Sequence, residues 1–411
     1  MSAAPITRKH QPAILAVLPL AYQDGRDCYT GILQYVAAHG LRWNVHLVRN
    51  EISRPRLVHE LKSDINGIIF SSNTLAAPLV RLIPPGLPCV ALDAADPEAF
   101  ADRAQVAFVD IDSETIGRRG AEYLTAQGNY AAFGIVGYEG YAWSASRVAS
   151  FGTALSGMRY ACDAFWVKRA NLHDGSVHAK MREWAARLHR PAAVMAVCDE
   201  LGRTFINALV AGGVRVPQDV AVLGVDNEGI LCTHMSPTLS SIQPDFERSG
   251  FLAAACMDAF LQRPAKASAP PMRRISPVRG IIGRESTAPS STTGRMVLKA
   301  EDFIRRHAGE NIHVDDVARH LGVSRRLLDL RFREVTGKTA LDAIHAEQLE
   351  SVRHLLRTTS LSITEISRIC NFRSENHLKR LFKQAFGQTM SDYRNAENTN
   401  RASPTVRPTG Q

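Results

Sequence analysis

Short apolar segments alternate with amphipathic segments from residue 13 to about residue 286. The apolar segments predict buried strands and cover 14–20, 43–48, 67–72, 88–93, 106–112, 131–138, 194–199 and 220–226. The amphipathic segments predict helices and include 26–39, 114–127, 144–158, 200–212 and 246–262. Near-continuous apolar strands that alternate with helices are typical of a parallel sheet covered on both faces. There are too many strands for one doubly wound unit, so we predict two α/β lobes, near 13–112 and 113–238, with later segments crossing back.

Several predicted strands end in a carboxylate. These residues are Asp93, Asp112, Asp199 and Asp226. In open α/β sheets the ligand lies beyond the carboxyl ends of the strands, so aspartates at these positions favour a binding cleft. For Asp93 a helix N-cap is the better interpretation.

The segment 286–294, "STAPSSTTG", is small and polar and predicts a linker. Beyond it only helical patterns occur. We therefore predict an α/β domain over 12–286, a linker over 287–294, an all-α domain over 295–396 and a disordered tail over 397–411.

The all-α domain contains one segment twice, 50 positions apart. Ser324, Leu328, Phe332 and Gly337 recur as Ser374, Leu378, Phe382 and Gly387. Gly322 and Asn371 precede the two copies, and both residue types accept the left-handed backbone of a tight turn between helices. Each copy therefore predicts a helix-turn-helix motif.

The second helix of each motif has an apolar stripe and a basic face. The apolar stripes are Leu327, Leu328, Leu330 and Phe332 in the first copy, and Leu378, Leu381, Phe382 and Phe386 in the second. The intervening helix, Ala340–Arg357, is about 27 Å long at 1.5 Å per residue. That length sets two recognition helices about one DNA turn apart.

Charge supports a polyanionic partner for the all-α domain. Of the net charge of +9, residues 290–411 carry 20 Lys+Arg against 14 Asp+Glu, and residues 1–289 carry 29 against 26. A solvated helical surface is the alternative that charge alone leaves open.

The seven widely spaced cysteines indicate reduced core thiols in a cytosol. The apolar run from Ala13 is too short to span a membrane, and we interpret it as a strand although Arg8 and Lys9 precede it.

Residues 295–396 resemble the DNA-binding domain of the AraC family of bacterial regulators, above all in "ITEIS", "LKRLFKQAFG" and "SDYR". The chain departs from the family at Asn371, where glycine is usual, and at Ala340 and Met390, where proline often occurs. The resemblance implies base contacts by Arg325, Arg326, Asp329, Arg373, Asn376 and Arg380. Arginine reads guanine and asparagine reads adenine, whereas Lys379 and Lys383 are expected to hold phosphates.

The α/β domain lacks motifs for phosphate or dinucleotide binding, a nucleophile elbow and a metal-spaced histidine pair, so we expect no enzyme, cofactor or metal. Its segment 220–250 resembles LacI-type repressors and periplasmic sugar-binding proteins, as do "CDELG" and "SASRVASF". Carried over by position, the cleft residues would be Arg26, Asp112, Trp143, Arg147, Asp199 and Asp226, with Trp143 or Phe151 stacking on a sugar. The alternatives are a core role for Trp143 and an interlobe salt bridge between Arg147 and Asp226.

A binding-protein-like sensor followed by an AraC-type domain is the arrangement of the xylose operon regulators. The resemblance implies a cytosolic transcription regulator that binds operator DNA and responds to xylose or a related monosaccharide. A homodimer is expected, RNA polymerase is a further candidate partner, and no membrane is involved. The alternatives are an extracytoplasmic sugar-binding receptor with a helical partner-binding domain and, less favoured, a sugar-processing enzyme. The sequence leaves open the sugar, the operator, and activation against repression.

Overall fold

The computed structural model describes residues 11–72, 74–75, 77–93, 100, 103–262, 271–288, 292–359, 361–372 and 374–395. The chain divides into two compact units, Met1–Thr287 and Ala288–Gln411. Arg373 and the predicted tail lie outside the described residues. No helix among those residues is long and apolar enough to cross a membrane.

The described residues of the first unit form two six-stranded sheets. Its strands are β1 (Ala13–Leu18), β2 (Asn44–Arg49), β3 (Gly67–Ser71), β4 (Cys89–Leu92), β5 (Val106–Ile111), β6 (Ala132–Tyr138), β7 (Cys162–Val167), β8 (Ala192–Ala196), β9 (Val220–Val225), β10 (Ser240–Pro244), β11 (Met272–Ser276) and β12 (Val278–Ile282). Its helices are α1 (Gln23–Ala38), α2 (Arg54–Glu60), α3 (Ala77–Val80), α4 (Ser113–Gln127), α5 (Ala142–Gly157), α6 (Gly175–Arg187), α7 (Asp199–Ala211), α8 (Gly229–Thr233) and α9 (Phe246–Gln262).

The strand orders are β11-β5-β4-β3-β1-β2 in the first lobe and β12-β10-β9-β8-β6-β7 in the second. Every pairing is parallel except that between β10 and β12. Central strands such as β3, β8 and β9 are buried along their whole length, which explains their continuous apolar sequences. The predicted two-lobed parallel α/β fold is confirmed.

The chain crosses between the lobes three times, at neighbouring points that are hydrogen-bonded to one another. The backbone N–H of Asp112 donates to the carbonyl of Ser276 (3.0 Å), and that of Asp245 donates to the carbonyl of Pro277 (2.9 Å). The Ser276 hydroxyl donates to the Asp245 carbonyl (2.6 Å). These crossings form a hinge of three connected strands beside the cleft.

The second crossing returns α9 to the first lobe, where it packs on α1 at two glycines. A Cβ atom on Gly31 would lie 1.9 Å from the Glu247 carbonyl oxygen, and one on Gly250 would lie 1.8 Å from that of Cys28. Such distances are shorter than any real contact, so the two helices approach this closely only because both residues lack a side chain.

Residues Glu285–Thr287 form a short 3₁₀ turn whose last two residues, Ser286 and Thr287, are buried in the second lobe. The Ser286 hydroxyl donates to the Val222 carbonyl (2.6 Å) and accepts the backbone N–H of Ser240 (2.8 Å). The Thr287 hydroxyl lies 2.9 Å from that of Tyr123. The last described segment of the first unit is therefore fixed to the second lobe.

The described part of the second unit contains six helices with defined bounds, and residues 390–395 are also helical. The six helices are α10 (Thr292–Arg306), α11 (Val314–Leu321), α12 (Arg325–Thr336), α13 (Ala340–Thr358), α14 (Ile363–Ile369) and α15 (Glu375–Phe386). Helices α11–α12 and α14–α15 form two helix-turn-helix motifs joined by α13. Gly322 (φ 66°) and Asn371 (φ 59°) both adopt the left-handed conformation that was predicted for the turns.

Both second helices begin and end as their repeated residues predict. The Ser324 side chain accepts the backbone N–H of Leu327, and that of Ser374 accepts the N–H of His377, each at 3.2 Å. Gly337 and Gly387 cap the C-terminal ends with positive φ. One assignment was wrong: Leu330, which was placed in the apolar stripe, is exposed.

Candidate sensor cleft and DNA-binding helices

A cavity of about 770 Å³ lies between the two lobes of the first unit, at the carboxyl ends of the strands. Its lining includes seven carboxylates but only two guanidinium groups. The carboxylates are Asp24, Glu51, Asp93, Asp199, Glu200, Asp226 and Glu228, and the guanidinium groups are those of Arg147 and Arg169. Aromatic rings add apolar faces, from Tyr22, Tyr138, Tyr141, Trp143 and Phe246. The cleft combines hydrogen-bond acceptors with flat apolar surfaces.

Arg147 is the buried cation of this cleft, with only 4% of its surface exposed. Its Nη1 donates to the Val197 carbonyl (2.6 Å) and lies 3.6 Å from Asp226 Oδ1, and its guanidinium lies 4.9 Å from the Trp143 ring centroid. Arg147 Nε and Trp143 Nε1 are buried without a hydrogen-bond partner in the described part of the chain. Buried donors normally have acceptors, so both groups favour a ligand oxygen in the cleft.

Asp226 follows β9 with φ of 108°, a backbone conformation that residues other than glycine rarely adopt. Burial raises the pKa of its carboxyl well above the usual range, and Arg147 opposes that shift. Arg147 and Asp226 both belong to the second lobe, so the alternative of an interlobe salt bridge between them was wrong. Trp143 lines the cavity, whereas Phe151 is fully buried in the core.

Two carboxylates of the first lobe, Asp24 and Asp93, have no ion-pair partner in the part of the chain that the structure describes. Asp24 Oδ1 accepts the backbone N–H of Gly25 (2.7 Å), and Asp93 Oδ1 accepts that of Ile111 (3.0 Å). Burial raises the pKa of each carboxyl to about 6. A helix that Asp93 could cap would fall in residues 94–99, outside the described residues. Both side chains retain free acceptor capacity toward the cavity.

Two of the predicted cleft carboxylates have their oxygens engaged by the protein. Asp199 accepts the Ser241 hydroxyl (2.6 Å), the Glu228 backbone N–H (2.8 Å) and the Cys232 thiol (3.1 Å). Burial raises the pKa of the Asp199 carboxyl to about 6. Asp112 caps α4 by accepting the backbone N–H of Thr115 (2.9 Å), and it is not among the residues that line the cavity. The geometry gives both residues a structural role.

Arg26 joins the lobes across the cleft instead of facing the cavity. Its guanidinium donates to the Leu20 and Ala21 carbonyls, each at 3.0 Å, and lies 3.1 Å from Glu228 Oε1 in the second lobe. The other oxygen of Glu228 accepts the backbone N–H of Gln23 (2.5 Å). These contacts connect the start of α1 to the segment that follows β9, so Glu228 bridges the two lobes.

In the first motif of the second unit, two predicted base-reading residues are engaged within the protein. Arg325 lies 3.7 Å from Asp315 and 4.0 Å from Asp329. Asp329 also accepts the backbone N–H of Ala340 at 3.3 Å, which positions the start of α13. Arg326 is exposed. Asp329 therefore acts as a structural acceptor, whereas Arg325 and Arg326 both remain exposed on α12.

In the second motif, Asn376, Arg380 and Lys383 are all exposed on α15. Their i, i+4, i+7 spacing places them along one face of the helix. Lys379 lies 2.5 Å from Glu375 Oε1 and is partly neutralised. The sequence carried a signal for this difference, because Glu375 lies four residues before Lys379 and no acidic residue lies four residues before Lys383.

Family models match both units of the chain. Residues 121–287 match a model described as a periplasmic binding protein-like domain, and residues 317–396 match a helix-turn-helix domain. The chain has the domain composition of a DNA-binding transcription regulator. The predicted pairing of a LacI-like sensor with an AraC-type helix-turn-helix domain is thereby confirmed.

Similar proteins align with this chain over most of their length. The regulator is 27% identical over 400 residues to the xylose operon regulatory protein of Escherichia coli (strain K12), which covers 95% of this chain and 98% of that protein. The Haemophilus influenzae protein of the same name is 26% identical over 382 residues, with 90% and 94% coverage. A solved structure of the xylose-binding transcription activator XylR has the same fold, with a TM-score of 0.58, 24% identity and 94% and 99% coverage.

Proposed function

We propose that this regulator is a cytosolic protein that binds xylose or a related monosaccharide in the interlobe cleft and binds operator DNA through both helix-turn-helix motifs. The observation that carries the proposal is the cleft itself. Arg147 stacks on Trp143 and leaves buried donors without partners, opposite two carboxylates with free acceptor capacity. The relatives named above are regulators and not enzymes, and we propose the same for this chain.

The chemistry of the cleft suits a polyol. Carboxylates accept hydrogen bonds from sugar hydroxyls, and a guanidinium group donates to hydroxyl or ring oxygens. Asp24 and Asp93 approach from the first lobe, and Arg147 and Asp226 approach from the second. A small sugar can therefore bond to both lobes at once, while the Trp143 ring packs against its C–H face.

Binding from both sides couples the ligand to the angle between the lobes. The three hydrogen-bonded crossings permit rotation about the hinge, and Glu228 already bridges the lobes near Gln23 and Arg26. A sugar shifts the equilibrium between two arrangements of the lobes only to the extent that it binds one arrangement more tightly than the other.

We propose a homodimer that contacts RNA polymerase at the promoter. An extracytoplasmic receptor is not favoured, because two helix-turn-helix motifs with exposed basic residues have no role there.

The proposal is tested with the full-length chain. We expect binding to duplex DNA that weakens linearly in log affinity with log salt concentration, as phosphate contacts require. We also expect xylose or another monosaccharide to raise the melting temperature and to change the DNA affinity. DNA binding without salt dependence, or a monosaccharide screen without any shift, would contradict the proposal.

Sugar affinity is expected to rise between pH 5 and pH 7. Burial raises the pKa of Asp24 and Asp93 to about 6, so both carboxyls are partly protonated at pH 5.5 in the empty cleft. Hydroxyl groups that donate to the charged form lower these pKa values, so binding releases protons and is favoured at higher pH. Calorimetric titration at pH 6 in two buffers of different ionisation enthalpy measures the release. The Asp24→Asn variant is expected to release fewer protons, and an unchanged heat between buffers would refute the assignment.

A further inference from the structure

Leu330 is a large apolar residue in the middle of the first recognition helix, and 51% of its surface is exposed. A single exposed leucine is common on protein surfaces, so its position matters more than its exposure. Successive residues of an α-helix are separated by about 100°. The buried residues of α12, Leu328 and Phe332, therefore lie on the side directly opposite Leu330.

The neighbours of Leu330 on this exposed face are basic. Arg326, one turn before it, and Arg333, almost one turn after it, are both exposed. Glu334 is also nearby, but its carboxylate lies 2.7 Å from Arg331 Nη1. Leu330 therefore lies at the centre of the row of side chains that this helix presents outward.

The two motifs differ at this position. The 50-residue repeat aligns Leu330 with Arg380, Arg326 with Asn376, and Arg333 with Lys383. Arg380 occupies the centre of the exposed face of α15, where an arginine can bond to guanine O6 and N7. A leucine at the same place in α12 offers neither donor nor acceptor. Asp329 does not replace it, because that side chain accepts the backbone N–H of Ala340.

We propose that Leu330 is a specificity-determining residue that contacts the C5-methyl group of a thymine in the major groove; this inference rests on the proposed DNA-binding function. Thymine is the base that presents an apolar group on the floor of the major groove, and apolar side chains select it by contact. The two half-sites of the operator then differ in kind. The half-site under α12 carries a thymine where the half-site under α15 carries a guanine.

Replacement of thymine by deoxyuridine tests the proposal, because it removes only the methyl group. The probe is a duplex enriched from a random-sequence pool by the full-length wild-type chain, with each thymine replaced in turn. We expect one replacement to weaken wild-type binding about fourfold, the factor expected for burial of one methyl-sized group. The Leu330→Ala variant is expected to bind the thymine and deoxyuridine duplexes equally well.

Leu341→Ala is the matched control, since Leu341 is 43% exposed but lies on α13. It is expected to keep the fourfold methyl effect. A Leu330→Arg variant is expected to enrich guanine at the same position, as Arg380 does in the second motif. A methyl effect that survives in Leu330→Ala, or base-specific binding without a methyl effect at any thymine, would overturn this inference. Binding without any base or salt dependence would instead overturn the proposed function.

Discussion

Replacing Asp226 with asparagine is expected to weaken sugar binding by about tenfold to a hundredfold in the full-length chain. The change replaces an acceptor oxygen with an amide NH₂ group, a donor, beside the Arg147 guanidinium and the sugar hydroxyls. Hydrogen bonds to charged groups contribute roughly 1.5–3 kcal/mol, where 1.4 kcal/mol is a factor of ten. Asparagine tolerates the positive φ of this position, so the fold is preserved. Calorimetric titration with the sugar that gives the largest thermal shift measures the loss.

The accompanying Asp226→Ala variant is expected to abolish the sugar-induced rise in melting temperature and to leave DNA binding without sugar unchanged. The control is Glu122→Ala, which removes an exposed carboxylate that lies 2.9 Å from Arg118 on α4. Exposed pairs of this kind contribute little to stability, so the ligand response should be retained. A full thermal response in both Asp226 variants would show that the sugar binds elsewhere.

Arg380→Ala and Lys383→Ala are expected to weaken DNA binding in different ways, although both remove an exposed cation from α15. If Arg380 reads a base, its loss costs about 1–3 kcal/mol on the operator and little on scrambled duplex. If Lys383 holds a phosphate, its loss weakens both duplexes alike and makes the salt slope shallower by about one unit. Affinities of both variants for both duplexes at several salt concentrations separate the two roles.

Lys379→Ala provides an internal comparison on the same helix. Because Lys379 already lies against Glu375, its removal should change the salt slope less than removal of Lys383. Equal losses on operator and scrambled DNA for Arg380→Ala would reduce α15 to a basic surface without base recognition.

The pattern of apolar positions predicted most of the fold because the central strands are buried on both faces. Four strands escaped prediction for identifiable reasons. The strands β7, β11 and β12 lie at sheet edges. Because β11 carries Arg273 and Arg274, and β12 carries Arg279, these edge strands present no continuous apolar run. The serines of β10 are buried but hydrogen-bonded, and a sequence pattern does not reveal that their polarity is satisfied inside the protein.

The cleft residues were predicted by position from the family resemblance, and the roles of these residues stay predictions. Of the six, Arg147, Asp226, Trp143 and Asp199 line the cavity. The role of Arg26 depends on Glu228, which lies 202 positions away in the other lobe. In the second unit, the sequence did not show which side of α12 is buried. Leu330 was therefore placed in the apolar stripe, whereas the structure buries Leu328 and Phe332 on the opposite side of the helix.

The burial of Ser286 and Thr287 determines where the protein can be cut. A fragment that ends at residue 286 would lack the Thr287 hydroxyl, which contacts the hydroxyls of Ser240 and Tyr123. A fragment that ends at residue 284 would also lack Ser286, and the Val222 carbonyl and the Ser240 N–H would lose their hydrogen-bond partner inside the second lobe. Unpaired buried polar groups cost about 1–3 kcal/mol each, a large share of the stability of a typical domain. Expression fragments and fusion junctions of the sensor therefore belong after Ala288.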